Sequence, residues 1–275
     1  MSPLSQRVLT ATLLIVLLAV AFWRLDETGI TVLFFGFVAI AAWEWCGLAG
    51  LAAPAARLLY AAATVGLGAL LFTQAGLTVM LAIVGAGAAW WLYALLRLFA
   101  MQRHGIPPRG GVAARLATGW LVMVPALLSI LLIYGRGLPW LAAMFLIIWV
   151  ADSAAYFGGR RYGRSKLASR ISPGKTREGV YAGLAAVLVL ALAFVLLTGR
   201  DPLTAVLSVA LALLVALASV VGDLYESICK RQAGCKDSGR ILPGHGGMLD
   251  RIDGVLAAAP VFLLGIQALG SGGAG

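Results

Sequence analysis

An all-α, polytopic integral membrane protein of about nine transmembrane helices is the fold class that this sequence predicts. Three observations carry the prediction. The mean hydropathy is +0.96, and only 12% of residues are charged. Apolar runs recur from end to end, most of them near the ~20 residues an α-helix needs to cross a hydrocarbon core. The runs are continuous and do not alternate, which is the pattern of buried or lipid-facing helices and not of a β-barrel or a soluble domain.

The runs are Val8–Trp23, Ile30–Leu48, Leu58–Phe72, Leu77–Phe99, Val112–Tyr134, Leu138–Phe157, Val180–Leu197, Pro202–Gly222 and Val255–Leu269. Leu58–Phe72 is short for a span. No small-residue cleavage site precedes Arg24, so the first run reads as a helix and not as a cleaved signal. Gly66, Gly68, Gly85 and Gly87 lie inside runs and read as points of close helix packing. Cys46, Cys229 and Cys235 have neither metal-type nor disulfide spacing.

The net charge of +10 reads as membrane topology, with no nucleic-acid partner implied. A cytosolic N-terminus places 18 of the 21 Lys and Arg residues inside and leaves Arg24, Arg136 and Arg200 outside. The expectation is a multi-pass protein of the cell (inner) membrane. Its three longer breaks, 100–111, 158–179 and 226–254, then face the cytosol.

Charge gathers in the last of these. From Gly222 to Asp253 the chain holds five acids, five bases and His245. Asp223, Glu226 and Ser227 share one face at i, i+3, i+4, a candidate hard-metal group where an apolar helix ends. Lys230, Arg231, Lys236 and Arg240, with Asp237, form a cluster whose cations suit phosphate oxygens. Glycines flank His245 and free the backbone for close approach. Asp250 and Asp253 open the last run, where acids also suit a helix N-terminus. An earlier break supplies a matching set. Asp152 lies within an apolar run and needs a partner. Ser172, Lys175 and Thr176 stand near a helix start, a phosphate-cradle arrangement. Gly174-Lys175-Thr176 is not a P-loop, because the required first glycine is Ser169. Glu44, between Trp43 and Trp45, reads as a buried acid with a structural hydrogen-bond role. Acids for a divalent ion and bases for phosphate at one membrane edge are the equipment of phosphoryl or nucleotidyl transfer. A transporter would instead place polar residues near mid-membrane.

Ser227-x-x-Lys230-Arg231, Lys236-Asp237-x-Gly239 and Leu242-Pro243-Gly244-His245-Gly246-Gly247-x-x-Asp250-Arg251-x-Asp253 together resemble the signature of the phosphatidate cytidylyltransferases. Asp152-x-x-Ala155-Tyr156, Ser172-Pro173 and Lys175-Thr176-x-Glu178-Gly179 are similar to that family's other block. The resemblance covers the C-terminal half. It departs at Gly174 and Arg177, where a second lysine and an aromatic residue are usual.

The resemblance implies transfer of CMP from CTP to phosphatidate, giving CDP-diacylglycerol and pyrophosphate, with Mg²⁺ as cofactor and a second cation as a further candidate. Another lipid-phosphate nucleotidyl- or phosphotransferase is the alternative. It implies a metal centre at Asp223 and Asp250, with Glu226 and Asp253 as further candidates. Lys230, Arg231, Lys236 and Arg251 are then phosphate-neutralising residues, and His245 orients a phosphate or assists the leaving group. Ser172, Lys175, Thr176, Glu178, Ser227, Asp237 and Asp152 complete the substrate-binding set. Membrane lipids and a second copy of the chain, as a homodimer, are the implied partners. The organisation expected is N-terminal membrane helices over 1–135, a catalytic membrane region over 136–270 and a flexible tail over 271–275.

Overall fold

A computed structural model describes residues 12, 16–105, 107–108, 110–241 and 246–271. His245, Arg109, the start of the first run and the tail beyond 271 lie outside the described residues.

The chain is a bundle of long helices. Helix α1 is described over residues 16–24. It is followed by α2 (Glu27–Ala49), α3 (Pro54–Gln74), α4 (Leu77–His104), α5 (Val112–Gly135) and α6 (Leu138–Tyr162). Strands β1 (Lys166–Ala168) and β2 (Ser172–Thr176) then form an antiparallel hairpin. Helices α7 (Arg177–Thr198), α8 (Pro202–Ala233) and α9 (Leu249–Ser271) complete the fold. Among the described residues, the eight helices from α2 to α9 are long and apolar enough to cross a membrane.

The ends have local causes. Asp26 accepts a hydrogen bond from Gly29 N at 2.8 Å and caps α2. Asp201 does the same for α8 through Thr204 N, and Pro202 stands at the first turn, where its missing N–H costs nothing. Gly234 ends α8 with φ of 70°, a left-handed conformation that a side chain disfavours.

One buried cluster runs through both halves of the chain, including Ile30 and Trp45 of α2, Leu127 of α5, Met144 of α6 and Leu263 of α9. Outward rows such as Leu58, Leu59, Leu92, Leu96 and Leu197 stay exposed, as lipid-facing side chains do. Two crossings are close. A methyl at Gly183 of α7 would stand 2.8 Å from Ala151 O of α6. A methyl at Gly222 of α8 would run into Asp253 O of α9, and one at Gly254 would meet Ser219 Cβ at 3.2 Å. Small residues therefore let α8 and α9 approach where both carry acids.

The structure corrects several boundaries. The short third run belongs to a 21-residue helix. Helix α8 is 32 residues long and continues past Gly222 to Ala233, while α9 begins at Leu249. The connection between them is thus 234–248, not 226–254. Likewise α6 reaches Tyr162 and α7 starts at Arg177, so 163–176 holds the hairpin, a small β element in an otherwise helical chain. Hydropathy marks the stretch that suits hydrocarbon, whereas Lys, Arg and Glu are good helix formers and carry the helices beyond it. Successive spans alternate in direction, so the connections 105–111, 163–176 and 234–248 share one end of the bundle. Two contacts join them: Gln232 Nε2 donates to Pro107 O at 2.9 Å, and Arg231 Nε donates to Ile171 O at 3.3 Å.

Candidate active site

The last turns of α8 and the first turn of α9 meet around a cavity of about 280 Å³. Asp223, Ser227, Lys230 and Arg231 come from α8, Lys236 and Asp237 from the connection, and Asp250, Arg251 and Asp253 from α9. Four carboxylates thus face four cationic side chains on one wall.

Lys230 is the centre of this arrangement. Its ammonium lies 2.6 Å from Glu226 Oε2, one turn back on α8, and 2.6 Å from Asp250 Oδ1 on α9. Asp250 is held from its other side as well. Its Oδ2 accepts from Ser238 N at 2.9 Å, Ser238 Oγ at 3.0 Å and Gly247 N at 2.8 Å. Three N–H donors, joined by the Ser238 hydroxyl when its single proton points this way, therefore surround this carboxylate. Asp253 stands beside Glu226 and Asp223 electrostatically, and its Oδ1 accepts from Gly254 N at 2.7 Å. Glu226 Oε1 is buried and has no hydrogen-bond partner among the described residues.

The hairpin contributes through one side chain. Lys175 of β2 is ion-paired with Asp223, and Asp152 of α6 lies within electrostatic reach of both. Ser227 Oγ donates to Asp223 Oδ1 at 3.4 Å. Two neighbours expected at the substrate are engaged within the hairpin. Thr176 is buried and caps α7, accepting from Gly179 N at 3.1 Å. Glu178 accepts from Arg164 N and Ser165 N, both at 3.1 Å, and closes the turn after α6. Ser172, half-buried at the start of β2, follows the Ile171 carbonyl that accepts from Arg231.

Two features escaped the sequence reading. Ser238, a lone hydroxyl between motif positions, touches Asp250 as described. Glu44 of α2, expected to play a structural hydrogen-bond role, does so, but its partners lie at this site, in the far half of the chain. Its Oε1 accepts from Met248 N at 3.0 Å, and its Oε2 accepts from Leu249 N at 2.8 Å and Ser238 Oγ at 3.0 Å. The signal was present in a carboxylate set between two tryptophans inside an apolar run, but its partner was not readable.

A sequence profile described as the cytidylyltransferase family matches residues 5–269. The chain belongs to the cytidylyltransferase family. It is 40% identical over 276 residues to a phosphatidate cytidylyltransferase of Pseudomonas aeruginosa, covering 98% of this chain and 99% of that one. Proteins of the same name from Haemophilus influenzae (34% over 287 residues, 94% and 97% covered) and Brucella suis (36% over 270 residues, 96% and 93% covered) are also similar. As a cytidylyltransferase-family member the chain is a nucleotidyltransferase, and the cavity with its acids and bases is the candidate place of reaction.

Among the described residues no three His, Cys, Asp or Glu side chains converge into a closed metal site. Mg²⁺ does not need one, since it keeps several waters and binds one or two carboxylates together with substrate phosphates. Asp223 and Asp253 on the cavity wall fit such an ion. Asp250 fits it only if Lys230 or another of its donors moves away.

Proposed function

We propose that this protein transfers the cytidylyl group of CTP to phosphatidate, releasing pyrophosphate and CDP-diacylglycerol. The observation that carries the reading is the cavity wall on which four acids and four bases meet at one end of a membrane bundle. That wall matches the charge of a triphosphate with its divalent ion beside a lipid phosphate.

In the reaction, a phosphate oxygen of phosphatidate attacks the α-phosphorus of CTP. A new P–O bond forms, the bond from the α-phosphorus to the oxygen bridging to the β-phosphate breaks, and pyrophosphate leaves with that electron pair. The nucleophile is already an anion, so no strong general base is required. Arg231, Lys236 and Arg251 are placed to neutralise phosphate oxygens, and positioning with charge compensation supplies the acceleration. Asp223 with Asp253 would hold Mg²⁺, whose chemistry when bound is to withdraw charge from the triphosphate oxygens. Lys175 compensates Asp223, and Lys230 compensates Glu226 and Asp250.

The excess of bases at the site end supports a cytosolic location in the inner membrane, where CTP is at hand. A homodimer, implied by resemblance, is a proposal that cross-linking in native membranes tests. Transport is disfavoured because the acids gather at one end of the bundle and not at its middle.

The test is turnover by purified protein in detergent with CTP, phosphatidate and Mg²⁺. Equimolar CDP-diacylglycerol and pyrophosphate are expected, with none in EDTA. Equal turnover with ATP, or pyrophosphate without the lipid product, would sink the reading.

A further inference from the structure

Glu44 is 3% exposed and lies in α2, within the half of the chain that carries no part of the motif blocks. Its carboxylate accepts from Met248 N and Leu249 N, the amides at the very start of α9. These are among the N–H groups that a helix leaves unsatisfied, so α9 is capped by a side chain from another helix and not by its own neighbour.

The third donor is Ser238 Oγ, which is also 3.0 Å from Asp250 Oδ2. A hydroxyl has one proton, so Ser238 can serve Glu44 or Asp250 but not both at once. The two carboxylates are therefore linked through it. Glycine walls the arrangement: a methyl on Gly239 or Gly247 would run into the Glu44 carboxylate. Gly247 N is itself a donor to Asp250. Ser238, which also donates to Asp250, is thus fastened to Glu44, and Gly247 packs against the Glu44 carboxylate.

We propose that Glu44 is a positioning residue for cytidylyl transfer, holding residues 238–239 and 247–249 so that Asp250 and the first turn of α9 present a fixed wall to the substrates. This rests on the cytidylyltransferase reading above. Glu44 does not touch the reacting atoms. It acts through Ser238, Met248 and Leu249.

Glu44→Gln is the sharp variant. The amide has one acceptor oxygen and one NH₂. Whichever way it turns, the NH₂ meets either the Met248 or the Leu249 N–H, so one bond is lost at nearly constant volume. We expect kcat to fall about 100-fold, the usual consequence of a misplaced catalytic wall, with KM for CTP and for phosphatidate within about threefold. Backbone hydrogen exchange over 238–249 should rise about tenfold, with α3 and α5 unchanged. Gly247→Ala attacks the same contact from the loop side and should show the same split. Thr64→Val removes a part-buried hydrogen bond between α3 and α5 and should lower thermal stability without lowering kcat.

The proposal is overturned if Glu44→Gln keeps kcat within about threefold of the parent. Unchanged exchange over 238–249 overturns it too, as does a kcat loss that Thr64→Val reproduces at equal loss of stability. If the parent protein fails to make CDP-diacylglycerol, the functional reading fails instead, and the exchange measurement still decides whether Glu44 holds the segment.

Discussion

Lys175, on the second strand of the hairpin, is ion-paired with Asp223 on α8. This contact joins the two charged connections, and both side chains are about a third exposed (27% and 36%). A partly exposed pair of this kind is worth little, roughly 0.2–1 kcal/mol, so the lysine can leave at small cost when a cation arrives. Two outcomes follow. Asp223→Asn should lower kcat by about 10³-fold, because on the proposed reading it removes a carboxylate that would hold the divalent ion. Lys175→Met should instead lower the Mg²⁺ concentration for half-maximal rate by up to about fivefold, since it removes only a competitor. Mg²⁺ titrations of pyrophosphate release check both. A rise in the Mg²⁺ requirement of Lys175→Met would contradict the competition.

Lys230 answers two acids that water hardly reaches. The side-chain exposure of Lys230 is 13%, with Glu226 at 4% and Asp250 at 8%. Removing the shared cation leaves two buried carboxylates uncompensated, a loss on the order of 3–5 kcal/mol. Lys230→Met is therefore expected to lower Tm in detergent by roughly 10 °C. Lys236→Met, at an exposed position of the connection, should leave Tm within about 1 °C and raise KM for CTP. Paired thermal unfolding and kinetics on the two variants check this.

Much of this was legible before the structure. Hydropathy alone yields the helical bundle, and the spacing of Asp223, Glu226 and Ser227 correctly puts them on one helical face. What periodicity could not show was where α8 ends, because Glu226 to Ala233 is polar yet helical. That mistake turned the base of the site, which is helix, into loop. The contact of Lys230 with Asp250 crosses 20 positions and that of Glu44 with Leu249 crosses 205. Pairings of that kind depend on how helices cross, and a single sequence carries no signal for them. Thr176 and Glu178 show the converse: residue types that suit phosphate binding also suit helix caps and turns, and here they are engaged in those.

Orientation can be read from a native thiol. Cys235 is half-buried in the α8–α9 connection, beside the site, whereas Cys46 is fully buried in α2. If the site end faces the cytosol, as the distribution of bases supports, a membrane-impermeant maleimide should label Cys235 in inside-out vesicles and leave it unlabelled in right-side-out ones. Cys46 should stay unlabelled in both. Cys235→Ser supplies the background. Labelling of Cys235 from the outer face would reverse the proposed orientation and with it the side on which CTP is met.

Gly222 sets the distance between the acids of α8 and those of α9. A methyl there would run into Asp253 O and stand 3.1 Å from Ala257 Cβ. Neither is the far end of a flexible chain: one is backbone and the other is a buried helix surface. Relief requires α8 and α9 to move apart at the point where Asp223 and Asp253 flank the cavity. Overpacking of this sort costs about 1–3 kcal/mol, and a displacement near 1 Å at the reacting centre costs about 100-fold in rate. Gly222→Ala should therefore lose far more kcat than Tm. Gly66→Ala is the reference, because a methyl at Gly66 meets nothing within 4 Å, and it should preserve both. Measured together in detergent, equal activity for the two variants would show that the α8–α9 crossing tolerates a methyl and that the spacing of the acids does not depend on it.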